Sequence, residues 1–345
     1  MWYNNIVRIK IPNGATIMKL KKLLPVLALS LAATTLTACG DKTVSLGKYW
    51  QLDATAKTEA FYEQATYAIS SEATESSYCN YKVEYTGTYV TTLESVTNVD
   101  YDYVFKTDLT ITAKFTLGTD TVEKTDTATT EVRFVAGENL RPVYSKKTMA
   151  CHVPLQGEYV NVNECYTLID YNYEIDYKQT EKGGSIQGQY HVTKNENVTD
   201  VELKDTFSFE DDYTFVDNDL LLVAARAFDA SESSAVVSTY GVFTENLQKV
   251  KFSLSDADKK AAESFNYTVI APDGTESAAK KDIVCRTAKI SLDQTNPGAT
   301  QTVKFAKNTD EKTNTYRNVI VEITTPLSFG MGEIYYKLAK VSYNK

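Results

Sequence analysis

The stretch VDYDYVFKTDLTITAKFTL, Val99 to Leu117, decides the fold. Every second residue from Val99 is apolar or aromatic, with Thr107 the one exception. The residues between are polar, with Val104 the one exception. Alternation of period two marks a strand with one buried face. Nineteen such residues, rising ~3.3 Å each, predict a strand of roughly 60 Å.

Its neighbours repeat the pattern. Cys79, Tyr81, Val83, Tyr85 and Tyr89 alternate, with Gly87 marking a bulge or a close backbone approach. Gly118-Thr119-Asp120 turns the long strand into a return whose apolar positions are Val122, Ala128, Val132 and Phe134. Val143–Val153 places Met149, Cys151 and Val153 on one face. Ile169, Tyr171, Tyr173, Ile175 and Tyr177 alternate with acids and Asn, and Gly183-Gly184 reads as the turn into Ile186–Val192.

The pattern breaks at DNDLLLVAARAF, Asp217–Phe228, which reads as a capped helix, apolar nearly all round and therefore buried. Arg226 within it requires an acidic partner from the sheet. Strands resume over Ala235–Phe243, Lys249–Leu254, and in FNYTVI, IVCRTAKI, NVIVEI and EIYYKLAKVSY, with turns at Pro272-Asp273-Gly274 and Asn296-Pro297-Gly298. Trp50–Ser71 is mixed, helical at its start and strand-like at its end. The expected fold is mainly β: a large curved antiparallel sheet or half-barrel of long strands with one or a few short helices. Residues 49–345 form one large domain, with a possible sub-boundary near 245–262.

The N-terminal segment speaks to location. MKLKKLLPVLALSLAATTLTAC opens at Met18 with Lys19, Lys21 and Lys22, continues with an uncharged run from Leu23 to Ala38, and closes on Leu36-Thr37-Ala38-Cys39. The uncharged run is too short to span a bilayer comfortably and suits a signal peptide. Its end resembles the lipobox of bacterial lipoproteins. That resemblance implies cleavage after residue 38, lipidation of Cys39, and a tether over residues 39–48. Residues 1–17 then precede the true start. The implied place is the extracytoplasmic face of a bacterial cell membrane, held by acyl chains.

Charge narrows the partners. Of the 36 basic residues, five lie in residues 1–38, leaving 31 against 45 acidic ones, a net charge near −14. Such a surface does not bind nucleic acid by counterion release. Beyond Cys39, the cysteines Cys79, Cys151, Cys165 and Cys285 leave three pairings open. Cys151 with Cys165 is the most natural local one, and free, partly buried thiols are the alternative.

No G-x-S-x-G, H-E-x-x-H, phosphate-loop or dinucleotide motif occurs, and neither His152 nor His191 has ligand or triad spacing. The acidic clusters Glu210–Asp212 and Asp217–Asp219 read as turns and caps. The expectation is a non-enzymatic protein without metal or cofactor.

What remains is the aromatic face: Tyr81, Tyr85, Tyr101, Tyr103, Phe105, Tyr171, Tyr173 and Tyr177. One short helix cannot cover strands this long, so a second sheet packs there or a ligand binds there. In Val99–Leu117 the aliphatic end reads as core and the Tyr101/Tyr103 end as a mouth or groove. The hairpins Val99–Val135 and Tyr166–Val192, with the helix at Asp217–Phe228, resemble half-barrel lipoprotein carriers of the LolA/LppX type. That resemblance implies a curved sheet binding a hydrophobic or amphipathic ligand under a helical plug. The alternative is a structural or interaction module that binds a protein or cell-wall glycan.

Overall fold

The computed structural model describes residues 46, 61–180, 183–194, 197–208, 214–228, 233–242, 245–256, 265–278, 283–291, 300–306 and 318–343. The lipobox, Trp50–Ala60, Glu210–Asp212 and the Asn296-Pro297-Gly298 turn lie outside them.

The protein is mainly β, and among the described residues seventeen strands belong to one sheet. The first eight are β1 (Tyr62–Ala73), β2 (Lys82–Ser95), β3 (Tyr103–Leu117), β4 (Asp120–Val135), β5 (Arg141–Pro154), β6 (Tyr166–Thr180), β7 (Gly183–Lys194) and β8 (Asn197–Ser208). Each pairs antiparallel with the next. A short strand β9 (Thr214–Phe215) precedes helix α1 (Leu221–Ala227), and β10 (Ser234–Gly241) and β11 (Asn246–Asp256) follow. The rest are β12 (Thr268–Ile270), β13 (Glu276–Ala278), β14 (Cys285–Ser291), β15 (Thr300–Ala306), β16 (Ile320–Pro326) and β17 (Gly332–Ser342).

The last third belongs to the same sheet. β17 pairs with β1, then β16, β15, β14, β11 and β10 follow outward to β9. The two ends of the sheet face each other through side chains. Phe207 of β8 stacks on Phe215 of β9 at 5.0 Å, and the Tyr240 hydroxyl of β10 donates to Asp205 Oδ2 of β8 at 2.9 Å. Among the described residues no ladder joins β8 to β9 or β10. The wall therefore curls almost into a barrel, and the alternating apolar face turns inward because only there is it screened from water.

The expected nineteen-residue strand is fifteen residues long. Val99–Asp102 carries on the alternation but forms a turn. Asn98 Oδ1 accepts the Asp100 N–H at 2.9 Å, and Asp102 Oδ1 accepts the Ala136 N–H at 2.7 Å. A short polar side chain bonding nearby backbone, as Asn98 does, favours a turn over a ladder, and Asp102 ties that turn to the one after β4. Gly183-Gly184 is also displaced from its expected role. Thr180 pairs with Gly183, so both glycines open β7. A Cβ on Gly183 would stand 2.2 Å from the Phe207 carbonyl oxygen. Gly87 marks a close approach: a Cβ there would lie 2.2 Å from the Thr110 oxygen.

Helix α1 fills part of the lumen. A 3-10 turn at Asn218–Leu220 leads into it, and the Asp217 side chain caps that turn by accepting the Asp219 N–H. Every residue of α1 is buried. Phe228, just past its end, packs on Phe252 of β11 at 4.8 Å.

Candidate functional site

The aromatic face is interior. Tyr85 is fully buried, and Tyr81, Phe105, Tyr171, Tyr173 and Tyr177 are nearly so. Tyr103 does not sit at a mouth. It is 6 % exposed, closed over by Phe61 at 6.1 Å and Phe134 at 5.8 Å. Phe61 precedes β1, in a segment without a clear pattern in the sequence. Tyr101 remains half-buried at the rim, with the Arg133 guanidinium 5.6 Å from its ring.

Three of the buried hydroxyls are spent on internal partners. Tyr81 donates to the Leu155 carbonyl at 2.7 Å, Tyr173 to Asp219 Oδ2 at 2.9 Å, and Tyr177 to Asp217 Oδ2 at 2.7 Å. Burial, with Asp217 and Asp219 beside them, holds the Tyr173 and Tyr177 hydroxyls protonated well above their usual range. These tyrosines are therefore donors, which is what two buried carboxylates require.

The polar centre of the lumen is built on those carboxylates. Lys147 of β5 reaches inward and meets Asp219 Oδ1 at 2.7 Å, both side chains under a tenth exposed. Burial pushes the Lys147 ammonium down, but the Asp219 charge and hydrogen bond, with Tyr171 and Asp217 nearby, together outweigh it and the net shift is upward. Asp217 is pushed up to about 6, by burial first and by the neighbouring Asp219 charge second. A second anchor lies along α1. Arg226 Nη1 and Nη2 meet Glu63 Oε1 and Oε2 of β1 at 2.7 and 2.9 Å, a bidentate pair. Arg226 thus has the acidic sheet partner that its burial demanded.

The histidines hold structure in place. Asp126, fully buried, accepts both the backbone N–H of His152 at 2.9 Å and its ring Nδ1 at 2.7 Å. This bond stands just beyond the last β4–β5 pair, Thr127 with Ala150. His191 lies on the outer face with Asp200 Oδ1 at 2.5 Å. Among the described residues no group of three or more His, Cys, Asp or Glu is placed to hold a metal ion.

The cysteines Cys79, Cys151, Cys165 and Cys285 are buried thiols. Of the two readings left open, free thiols or a bridge, register excludes the Cys151–Cys165 bridge. Cys151 faces Ile169 across the β5–β6 ladder, and Cys165 stands four residues before Ile169, about 13 Å along the strand. A disulfide needs Cα atoms within ~7 Å.

The outer wall holds a different recess. A groove of about 520 Å³ crosses β1 to β5, bordered by Gln64, Thr92, Lys106, Asp108, Glu131 and Lys146. Register aligns its floor. Thr92 faces Lys106, Lys106 faces Glu131, and Glu131 faces Lys146. Alternating charge on neighbouring strands favours such pairing. It also presents donors and acceptors side by side to anything that enters from outside.

Sequence reasoning missed Lys147, Asp126 and Glu63. A signal was present for two. Lys147 holds an inward position in the series of Ser145, Met149, Cys151 and Val153, and Asp126 holds one between Val122 and Ala128. A charge at an inward position is a buried charge. Glu63 sits in a stretch whose reading was mixed.

No family model matches the chain, and no curated protein matches it. Among solved structures, it is similar to a β-barrel-like protein of domain of unknown function DUF1849 from Brucella abortus. Identity is 11 %, the match covers 81 % of this chain and 97 % of that one, and the TM-score is 0.43.

Proposed function

We propose that the chain is a lipid-anchored, extracytoplasmic and non-enzymatic protein whose near-closed barrel is a rigid interaction module. The observation that carries this reading is the covering of the aromatic face. Three of its hydroxyls are bonded to Asp217, Asp219 and Leu155, and the 3-10 turn Asn218–Leu220 and α1 behind it are each tied to the wall by one buried ion pair. A hydrophobic ligand in the lumen would have to displace α1 and strand Arg226 and Lys147 without their carboxylates, at several kcal/mol each. The outer groove needs no such rearrangement. Its Lys, Asp, Glu, Thr and Gln side chains suit a polar, hydroxyl- and amide-bearing partner such as cell-wall glycan.

Two measurements test this. Native mass spectrometry of the full chain should show no non-covalently retained lipid beyond the acyl chains on Cys39. Co-sedimentation with cell-wall sacculi should be weakened by the double substitution K106A/K146A. A stoichiometric co-purified lipid, with sedimentation unchanged by the double substitution, overturns the module in favour of a carrier.

A further inference from the structure

Leu46 fixes where the chain enters the barrel. Its side chain is buried, 2 % exposed, and its N–H donates to Asn139 Oδ1 at 3.0 Å. Asn139 lies in the turn between β4 and β5, in the left-handed region with φ 58°. The loop between β2 and β3 shares that end. Asp102 binds the two together: its carboxylate accepts the Ala136 N–H at 2.7 Å, and its own N–H donates to the Phe134 carbonyl at 3.2 Å. At the loop tip the Asn98–Asp100 turn presents Val99, which is 98 % exposed.

Seven peptide steps separate Cys39 from Leu46, a span of at most about 25 Å at ~3.6 Å per residue. The far end of the barrel, at the Gly118 turn, is a fifteen-residue strand away, or about 50 Å. A chain anchored at Cys39 cannot rest its Gly118 end on the bilayer while Leu46 stays seated. We infer that the barrel stands on the membrane with its β2–β3 and β4–β5 end down, and that Val99 touches the lipid surface. The inference rests on the lipid anchoring proposed above. The exposed Asp100 beside Val99 keeps the loop in the headgroup zone, because a carboxylate is costly in hydrocarbon. Acyl chains and an apolar tip, rather than charge, then set the orientation of this acidic protein.

The test uses the full chain, lipidated in a bacterial host, carrying V99C or T119C. The buried thiols leave the introduced cysteine as the accessible one for a bimane label. The protein is reconstituted in phosphatidylcholine/phosphatidylglycerol vesicles containing doxyl-labelled phosphatidylcholine. Label at V99C should be quenched at least about two-fold more than label at T119C, with blue-shifted emission. Equal or stronger quenching at T119C overturns the orientation. Metabolic palmitate labelling, with Cys39→Ser as control, is read on the same protein. Absence of label from the parent, or label that persists in Cys39→Ser, overturns the anchoring itself. A palmitate-labelled protein whose V99C probe stays aqueous overturns the orientation alone.

Discussion

The guanidinium of Arg226 in α1 lies fork to fork on the carboxylate of Glu63 in β1, 163 residues away in sequence, with both side chains about 5 % exposed or less. Breaking a buried pair strands a charge, whereas replacing both partners does not. R226M alone should therefore destabilise the protein by about 3–5 kcal/mol. E63L/R226M should cost less than the worse single substitution. Urea unfolding of the three variants checks this. A loss under about 1 kcal/mol for R226M would mean that the pair does not hold the helix in place.

Asp217 gives a pH signature. Its folded value of about 6 lies above the ordinary carboxylate value of 3.8. The folded state thus holds the proton more tightly, and the stability from this group is complete below about pH 4. It declines as pH rises from about 4 to about 6 and is gone above that. At ~1.4 kcal/mol per pH unit the loss is about 3 kcal/mol. D217N keeps the size of the side chain and cannot ionise. Its melting temperature should fall less than that of the parent between pH 4 and 6. Parallel curves for the two proteins would refute the assignment.

How much of this was legible beforehand depended on periodicity. The register of β3 and β4, the burial of Arg226 and the capping role of Asp217 all follow from local pattern. What pattern could not give was closure. Nothing local tells Tyr103 that Phe61 will fold over it, or Tyr173 that Asp219 will arrive from beyond β9. Those contacts depend on how far the sheet curls, which is a property of the whole wall. The Cys151–Cys165 pairing failed for a simpler reason. Closeness in sequence across a hairpin does not imply closeness across its ladder.

The thiols should be silent in the folded protein. Burial pushes Cys151 far above its usual range, and burial with Cys79 nearby pushes Cys165 up to about 11. Ellman's reagent should react slowly with the native mature chain and with all four thiols in guanidinium, with no prior reductant needed. A count of two in guanidinium would indicate a disulfide.

Two glycines separate steric from conformational cost. At Gly87 a methyl group would meet the Thr110 oxygen at 2.2 Å. At Gly118 nothing lies within 4 Å, but φ is +60°. G118A should cost about 1 kcal/mol, the penalty of a left-handed residue. G87A must push two strands apart and should cost several times more. Thermal melts of both decide the order.

The pairing of β1 with β17 joins Gln64 to Ser342. The wall cannot close until β17 has been delivered. A chain threaded through a secretion pore from its N-terminus would leave this seam open throughout transit. Its first eight strands can zip sequentially as hairpins, each to the one before. The ninth-to-last contacts wait for the far end, a long-range step that slows folding. The join between β1 and β17 is therefore among the last to form. It also marks β17 as the element whose truncation would leave β1 as a raw edge, open to another copy.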